Sequence, residues 1–151
     1  METLELEAEA AELVFDRFDE AMAWRLGSVL QQMAAESALP VVIDIRSADR
    51  TYFHAALPGS APLNDLWARR KSNVALVFRM ASLLVGNRLR DKGDTLAKHG
   101  LDAANHAESG GAVPVVVRGV GMVAVATVSG LPQVEDHKLV VQAMRAVLAG
   151  G

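Results

Sequence analysis

Two strand-turn-strand patterns, separated by helical stretches, constrain the fold of this chain more than any other feature. The first consists of two apolar, β-rich runs over residues 41–45 and 51–57, joined by the polar turn 46–50. The second pairs residues 113–117 with residues 122–128. Short turns join antiparallel strands, whereas parallel strands need crossover connections of about a dozen or more residues. The sequence therefore predicts an α+β fold in which a central antiparallel sheet is covered by helices.

The stretches around these hairpins have the spacing of amphipathic helices, because apolar residues recur every three or four positions. Asp19 is a suitable N-cap for the first long helix, and the longest helical pattern is expected to break near Ser72 or Ser82. Gly100 is placed to end a short helix in a left-handed conformation. The remaining predicted elements are a helical or flexible extension over 1–12, a short strand near 13–15, and helices over about 19–36, 60–91, 95–99 and 132–148.

Length and charge limit the classes of protein to consider. A chain of 151 residues has the size of one domain with one core, so we predict a single domain over 1–151. The hydrophobic share of 51% is slightly high for this length, which we interpret as a sign of homo-oligomerisation. A net charge of −3 gives no electrostatic reason to approach phosphates. We therefore expect no nucleic-acid partner and no membrane partner.

The complete lack of cysteine excludes a disulfide framework, thiolate metal sites and a cysteine nucleophile, and it is compatible with a reducing compartment. The first 13 residues carry five glutamates and no basic residue, which is the reverse of a secretory signal peptide. No apolar run approaches the ~20 residues of a membrane span. The expected location is the cytoplasm.

One glycine pattern resembles a cofactor motif but lies in the wrong context. Gly119, Gly121 and Ala124 spell GxGxxA. The dinucleotide-binding fingerprint requires a helix to open within the motif, whereas here a strand follows. The pattern therefore predicts a hairpin turn.

Two other glycine-containing loops are candidate walls of a binding site. The loop at Ser129 and Gly130 leads from a strand directly into a helix, whose free backbone N–H groups can receive an anion. Asp136, in the first turn of that helix, would compete with an incoming anion. Gly110 and Gly111 precede another strand, and glycine allows close approach of the backbone. Plain turns are the alternative interpretation of both loops.

His54, Arg70 and Lys71 are the other candidate site residues. His54 lies within an apolar strand and can ligate a metal or exchange a proton, whereas Arg70 and Lys71 can pair with the carboxylates of a ligand. The alternatives are a hydrogen-bonded structural histidine and a solvated basic surface. The other three histidines are scattered and lack the spacing of zinc ligands, so no metal site is predicted.

Two ordered sets of residues carry a family resemblance. They are Tyr52, Phe53, His54, Leu57, Pro58, Gly59, Asn64, Trp67 and Lys71, followed by Gly110, Gly111, Pro114, Val128, Ser129, Gly130, Leu131, Pro132, Asp136 and His137. Together they resemble the uncharacterised cytoplasmic branch of the haem-degrading-domain (GlcG/HbpS-like) family, and the likeness extends over residues 15–148. The segment 104–109 is more polar than this branch leads us to expect before the paired glycines.

The resemblance implies a profilin-like fold with a central antiparallel sheet of about five strands, assembled into a symmetric homo-oligomer. Some members of the family bind or degrade haem, whereas others are known only as accessory gene products, so the resemblance implies haem or another small anionic ligand as one hypothesis for the partner. His54 would then contact iron or a proton, and Arg70 and Lys71 would pair with anionic groups. Ser129 and Gly130 would contact the ligand from their loop. The alternative is a non-enzymatic oligomeric adaptor, and no catalytic constellation is identified.

Overall fold

The computed structural model describes residues 1–150. The predicted order of strand, helix, hairpin, helices, hairpin and helix is confirmed, and the N-terminal extension is helical. The helices are α1 (Thr3–Glu12), α2 (Glu20–Glu36), α3 (Pro62–Phe78), α4 (Ser82–Asp91) and α5 (Gln133–Leu148), with a 3₁₀ turn over Ala97–His99. The strands are β1 (Val14–Phe15), β2 (Val42–Arg46), β3 (Thr51–Ala56), β4 (Ala112–Val117) and β5 (Gly121–Ser129).

The five strands form one sheet in the order β1-β4-β5-β2-β3. Both predicted hairpins, β2–β3 and β4–β5, are antiparallel, and β2 also pairs antiparallel with β5. The prediction of an antiparallel sheet is wrong at one edge, because β1 runs parallel to β4 and Val14 lies opposite Val116. No short turn joins these two strands, so nothing local fixes their relative direction. The fold is therefore α+β with a mixed sheet.

The two faces of the sheet have different partners. Successive side chains of a strand point to opposite faces. Ala126 and Val128 of β5 belong to the main hydrophobic core, together with Leu26 of α2 and Met144 of α5. Thr127, between them, instead contacts α3, which packs on β5, β4 and β2. Arg70 and Lys71 belong to α3, so the candidate site lies on this side of the sheet.

Local signals fix several helix boundaries. The Asp19 carboxylate accepts a hydrogen bond of 2.9 Å from the backbone N–H of Met22, which caps α2 as predicted. The long helical pattern breaks after Arg79, which adopts a left-handed φ of 59°, and helix α4 then begins at Ser82. Ser72, the other predicted break, lies inside α3. Gly100 ends the 3₁₀ turn in a left-handed conformation, as predicted.

Helix α1 packs against α4. Leu6 is buried with Leu83 and Leu84, and the Asn87 side chain donates a hydrogen bond to the carbonyl oxygen of Met1. Within the described range 1–150, none of the helices combines the length and apolar character that crossing a membrane requires.

Candidate functional site

A buried ion pair joins α3 to α5 beneath the loop at Ser129. The Lys71 ammonium lies 2.8 Å from the Asp136 carboxylate, and the two side chains are 4% and 1% exposed. Lys71 also donates a hydrogen bond of 3.2 Å to the carbonyl oxygen of Val128. Buried lysine and aspartate are rare unless they are paired, so this contact satisfies both charges at once.

Backbone N–H groups hold the carboxylate from the other side. Asp136 accepts hydrogen bonds from the backbone N–H of Leu131 at 2.9 Å and of Gly130 at 3.3 Å. Both donors belong to the loop that leads into α5. The sequence predicts that backbone N–H groups of this loop can receive an anion. In the structure the chain's own Asp136 carboxylate accepts from two of them.

Burial shifts the pKa values of both partners toward their neutral forms. It lowers the pKa of Lys71, and the nearby Asp136 carboxylate partly offsets that shift. It raises the pKa of Asp136, against the opposing effects of Lys71 and the two backbone N–H groups. Desolvation disfavours the charged form of any ionisable group. Burial therefore makes the charged forms of Lys71 and Asp136 less favourable than they would be in water.

Two glycines make room for this arrangement. A Cβ on Gly111 would lie 2.4 Å from the carbonyl oxygen of Val128 and 2.8 Å from the Lys71 ammonium, and its φ is +139°. A Cβ on Gly130 would lie 2.5 Å from the carbonyl oxygen of Pro40, at a φ of +147°. Glycine alone combines this backbone conformation with this lack of side-chain volume. At both Gly111 and Gly130 the backbone of another segment approaches closely, which is the role of glycine that the sequence analysis offered beside a plain turn.

The ion pair lines an open cavity of about 250 Å³, which we call the lysine cavity. Its lining consists of Asn64, Trp67, Lys71, Ser109, Ser129, Gly130, Leu131 and Asp136. Three predicted site residues, Lys71, Ser129 and Gly130, therefore meet here.

A larger open cavity of about 740 Å³ lies on the other side of Trp67 and Ser109, which line both. We call it the arginine cavity, because Arg70 and Arg90 line it. The Arg70 guanidinium stacks on the Trp67 ring at 4.4 Å, and its buried Nε has no hydrogen-bond partner among residues 1–150. Arg90 donates a hydrogen bond to the side-chain oxygen of Asn87. Neither guanidinium forms a salt bridge with a carboxylate of the described chain.

His106 also lines the arginine cavity. Its Nδ1 lies 3.1 Å from the backbone carbonyl oxygen of Asp102. A carbonyl oxygen only accepts hydrogen bonds, so Nδ1 carries the proton of the neutral ring and Nε2 carries the lone pair. This tautomer is the one that can ligate a metal through Nε2.

His54 lies outside both cavities. Its Nδ1 is 3.1 Å from the buried Asp44 carboxylate, and its Nε2 is 2.8 Å from Asp65 near the start of α3. Arg46 also contacts Asp44, at 2.7 Å. The His54 side chain is 41% exposed, so it links an edge strand to α3 at the surface.

Two residues of these cavities, Asp136 and His106, are not among the site residues predicted from sequence. Residues 71 and 136 share no local pattern that predicts their contact. His106 lies in the unexpectedly polar segment 104–109, and that departure was the one available signal. Its role depends on a bond to the backbone of Asp102 that residue spacing does not encode.

Comparisons with known proteins converge on one family. The family model described as haem degrading protein HbpS-like matches residues 18–145. A UPF0303 protein of Streptomyces coelicolor is 53% identical over 141 residues, which cover 93% of this chain and 89% of the relative. The crystal structure of the protein Ybr137w superposes with a TM-score of 0.87 at 32% identity, covering 98% of this chain and 88% of that one. A crystal structure named as a PduOC:heme complex superposes with a TM-score of 0.69 at 18% identity, covering 82% and 90%, and this likeness concerns the fold alone.

Proposed function

The chain belongs to the HbpS-like family of haem-degrading proteins, and from this premise we propose that it binds haem in the arginine cavity. His106 would ligate the iron, and Arg70 and Arg90 would pair with the propionates. Bound haem would supply iron-centred redox chemistry, while the residues of the chain bind and orient it. The observation that carries the proposal is the free Nε2 of His106 beside two arginines without carboxylate partners.

The iron ligand is argued from the tautomer of His106. Haem proteins commonly hold iron through a neutral histidine nitrogen. The second ring nitrogen usually donates to a carbonyl or carboxylate, which orients the ring. The contact between His106 Nδ1 and the Asp102 carbonyl oxygen supplies this orienting bond.

The propionates are argued from Arg70 and Arg90. A guanidinium forms short, often bidentate hydrogen bonds with carboxylates. The stacking of Arg70 on Trp67 fixes the guanidinium plane while leaving its N–H groups free. Arg70 and Arg90 would supply one cation for each propionate, while Asp94, which bonds to His99, and Glu108 also line the cavity.

The arginine cavity is large enough for a cofactor, and its lining combines apolar with polar residues. Its volume of about 740 Å³ falls within the range of roughly 300–1,000 Å³ typical of small-molecule and cofactor sites. Leu83, Leu89, Leu96 and Leu101 line it beside the Trp67 ring. A haem needs apolar contacts for its macrocycle and cations for its propionates, and the lining supplies both kinds of residue.

The test is a hemin titration followed by visible absorbance, with albumin as a control for non-specific uptake. We expect a saturable shift with one hemin per subunit at sub-micromolar concentration. His106→Ala should move the absorption maximum of the complex, because the iron loses its protein ligand. Arg70→Ala should weaken binding about tenfold, which is the typical effect of removing one charge-assisted hydrogen bond.

His54→Ala is the matched control, because iron contact by His54 is the competing prediction from sequence. If His54→Ala moves the absorption maximum and His106→Ala does not, the iron site lies at His54, and the proposal that haem binds in the arginine cavity is wrong. If wild-type protein gives no saturable shift, haem binding itself is wrong, and the adaptor alternative becomes the better account of the chain.

We also propose that the chain assembles as a homo-oligomer. Leu63 and Leu66, on neighbouring turns of α3, are each 62% exposed. Exposed apolar residues that lie together commonly mark a protein interface. Light scattering should give a mass above that of one chain, and a Leu66→Lys variant should lower it.

A further inference from the structure

We propose that the lysine cavity is a second binding site, for a small carboxylate, formed by Lys71, Ser129, Asn64 and the indole N–H of Trp67. This site shares the walls Trp67 and Ser109 with the proposed haem site, but the proposal does not depend on haem binding.

The first argument is an excess of hydrogen-bond donors. Ser129 is only 2% exposed, yet its hydroxyl has no hydrogen-bond partner in the part of the chain that the structure describes. Asn64 uses its side-chain oxygen to accept from the backbone N–H of Ala61, which leaves its NH₂ group free. The indole N–H of Trp67 likewise has no partner within residues 1–150. These three donors line the cavity, where an acceptor on a ligand can take their hydrogen bonds.

The second argument concerns the Lys71 ammonium. It has three N–H donors, of which two bond to the Val128 carbonyl oxygen and the Asp136 carboxylate. One N–H therefore remains for a ligand. An ammonium desolvated in this way interacts more strongly with a nearby anion than an exposed one does.

Asp136 is the one negative charge in the lining and must be weighed against an anionic ligand. Its carboxylate already accepts from Lys71, Gly130 and Leu131. The charge of Lys71 and these two backbone dipoles largely compensate it. The remaining polar side chains, Asn64, Trp67, Ser109 and Ser129, each have at least one N–H or O–H donor, so each can donate to an incoming carboxylate.

Size restricts the ligand further. The cavity volume of about 250 Å³ equals that of roughly eight water molecules in the liquid. A ligand held wholly within this space is much smaller than a porphyrin or a nucleotide. The space admits an organic acid of about two to four carbon atoms, whose carboxylate can reach Lys71 while a second polar group meets Ser129 or Asn64.

The test is isothermal titration of the wild-type protein with acetate, lactate, malonate and succinate, with sodium chloride at equal ionic strength as the blank. We expect saturable binding of at least one acid. Ser129→Ala and Trp67→Phe each remove a donor while sparing the ion pair, so each should weaken that binding about tenfold. Ser28→Ala, in α2 on the opposite side of the sheet, is the matched control and should leave the affinity for the acid unchanged. Circular dichroism verifies that each variant is folded.

His106→Ala separates this proposal from haem binding, because it should leave the affinity for the acid unchanged. Three results would overturn the proposal. They are no saturable binding of any of the four acids, equal affinity in the wild type and both cavity variants, and loss of binding in His106→Ala, which would move the ligand to the arginine cavity. A failed hemin titration with normal acid binding would overturn the haem proposal alone.

Discussion

Replacing Lys71 by Met tests the energetic role of the buried ion pair most directly. Methionine keeps most of the apolar stem of lysine, so the change removes the charge more than the packing. It leaves the 1% exposed Asp136 carboxylate with only two backbone N–H partners. Removing one member of a buried pair costs about 3–5 kcal/mol. Because the two N–H bonds remain, we expect a loss near the lower limit, about 3 kcal/mol, or roughly 6–12 °C in Tm.

The pH dependence of this loss has a definite sign. Lys71 lowers the pKa of Asp136 against the larger effect of burial, so its removal raises that pKa further above the unfolded value. A native state whose carboxyl pKa is raised binds its proton first as the pH falls. The destabilisation of Lys71→Met is therefore largest above that pKa and shrinks as the pH falls through it, by at most about 1.4 kcal/mol per pH unit.

The assay is urea denaturation followed by circular dichroism between pH 8 and pH 5, at one fixed protein concentration because assembly would shift the midpoint. The double variant Lys71→Met/Asp136→Asn should recover much of the loss and show no such pH dependence, since no buried charge is left unpaired. If the single and double variants are equally destabilised, or if the deficit of the single variant is constant with pH, the reasoning from an uncompensated carboxylate is wrong.

Other substitutions test the backbone and the capping of the fold. Gly111→Ala should cost more than about 2 kcal/mol, because its Cβ would lie 2.4 Å from the Val128 carbonyl oxygen at a φ of +139°. Gly100→Ala is its control, with no atom within 4 Å of the added Cβ, and should cost only about 1 kcal/mol for its left-handed conformation. Asp19→Ala should cost about 1 kcal/mol by freeing the backbone N–H of Met22. Urea denaturation measures all three, and equal losses for the two glycine variants would show that the close contact costs nothing.

The parts of the fold that could be predicted from sequence are those determined by neighbouring residues. The β2–β3 hairpin follows from a polar turn between two apolar runs, and Asp19 caps α2 three residues before the N–H that it binds. The left-handed conformation at Gly100 follows from glycine directly after a short helix. In each case the interaction spans a few positions, so its pattern is visible in the sequence.

The parts that could not be predicted depend on contacts between distant segments. The parallel pairing of β1 with β4 joins Val14 to Val116 with no local signal for direction. The contact of Lys71 with Asp136 spans 65 positions. The position of His54 between Asp44 and Asp65 likewise depends on contacts with β2 and α3.

Helix geometry explains how one short basic segment serves two cavities. Adjacent residues on an α-helix project about 100° apart, so Arg70 faces the arginine cavity while Lys71 faces the lysine cavity. Trp67 lies three and four positions earlier, which places its side chain beside both. Ser109 is the second wall that both cavities share, so a ligand that moves either residue would affect both cavities. Ser129→Ala and His106→Ala should each act on one site alone, whereas a change of Trp67 should act on both.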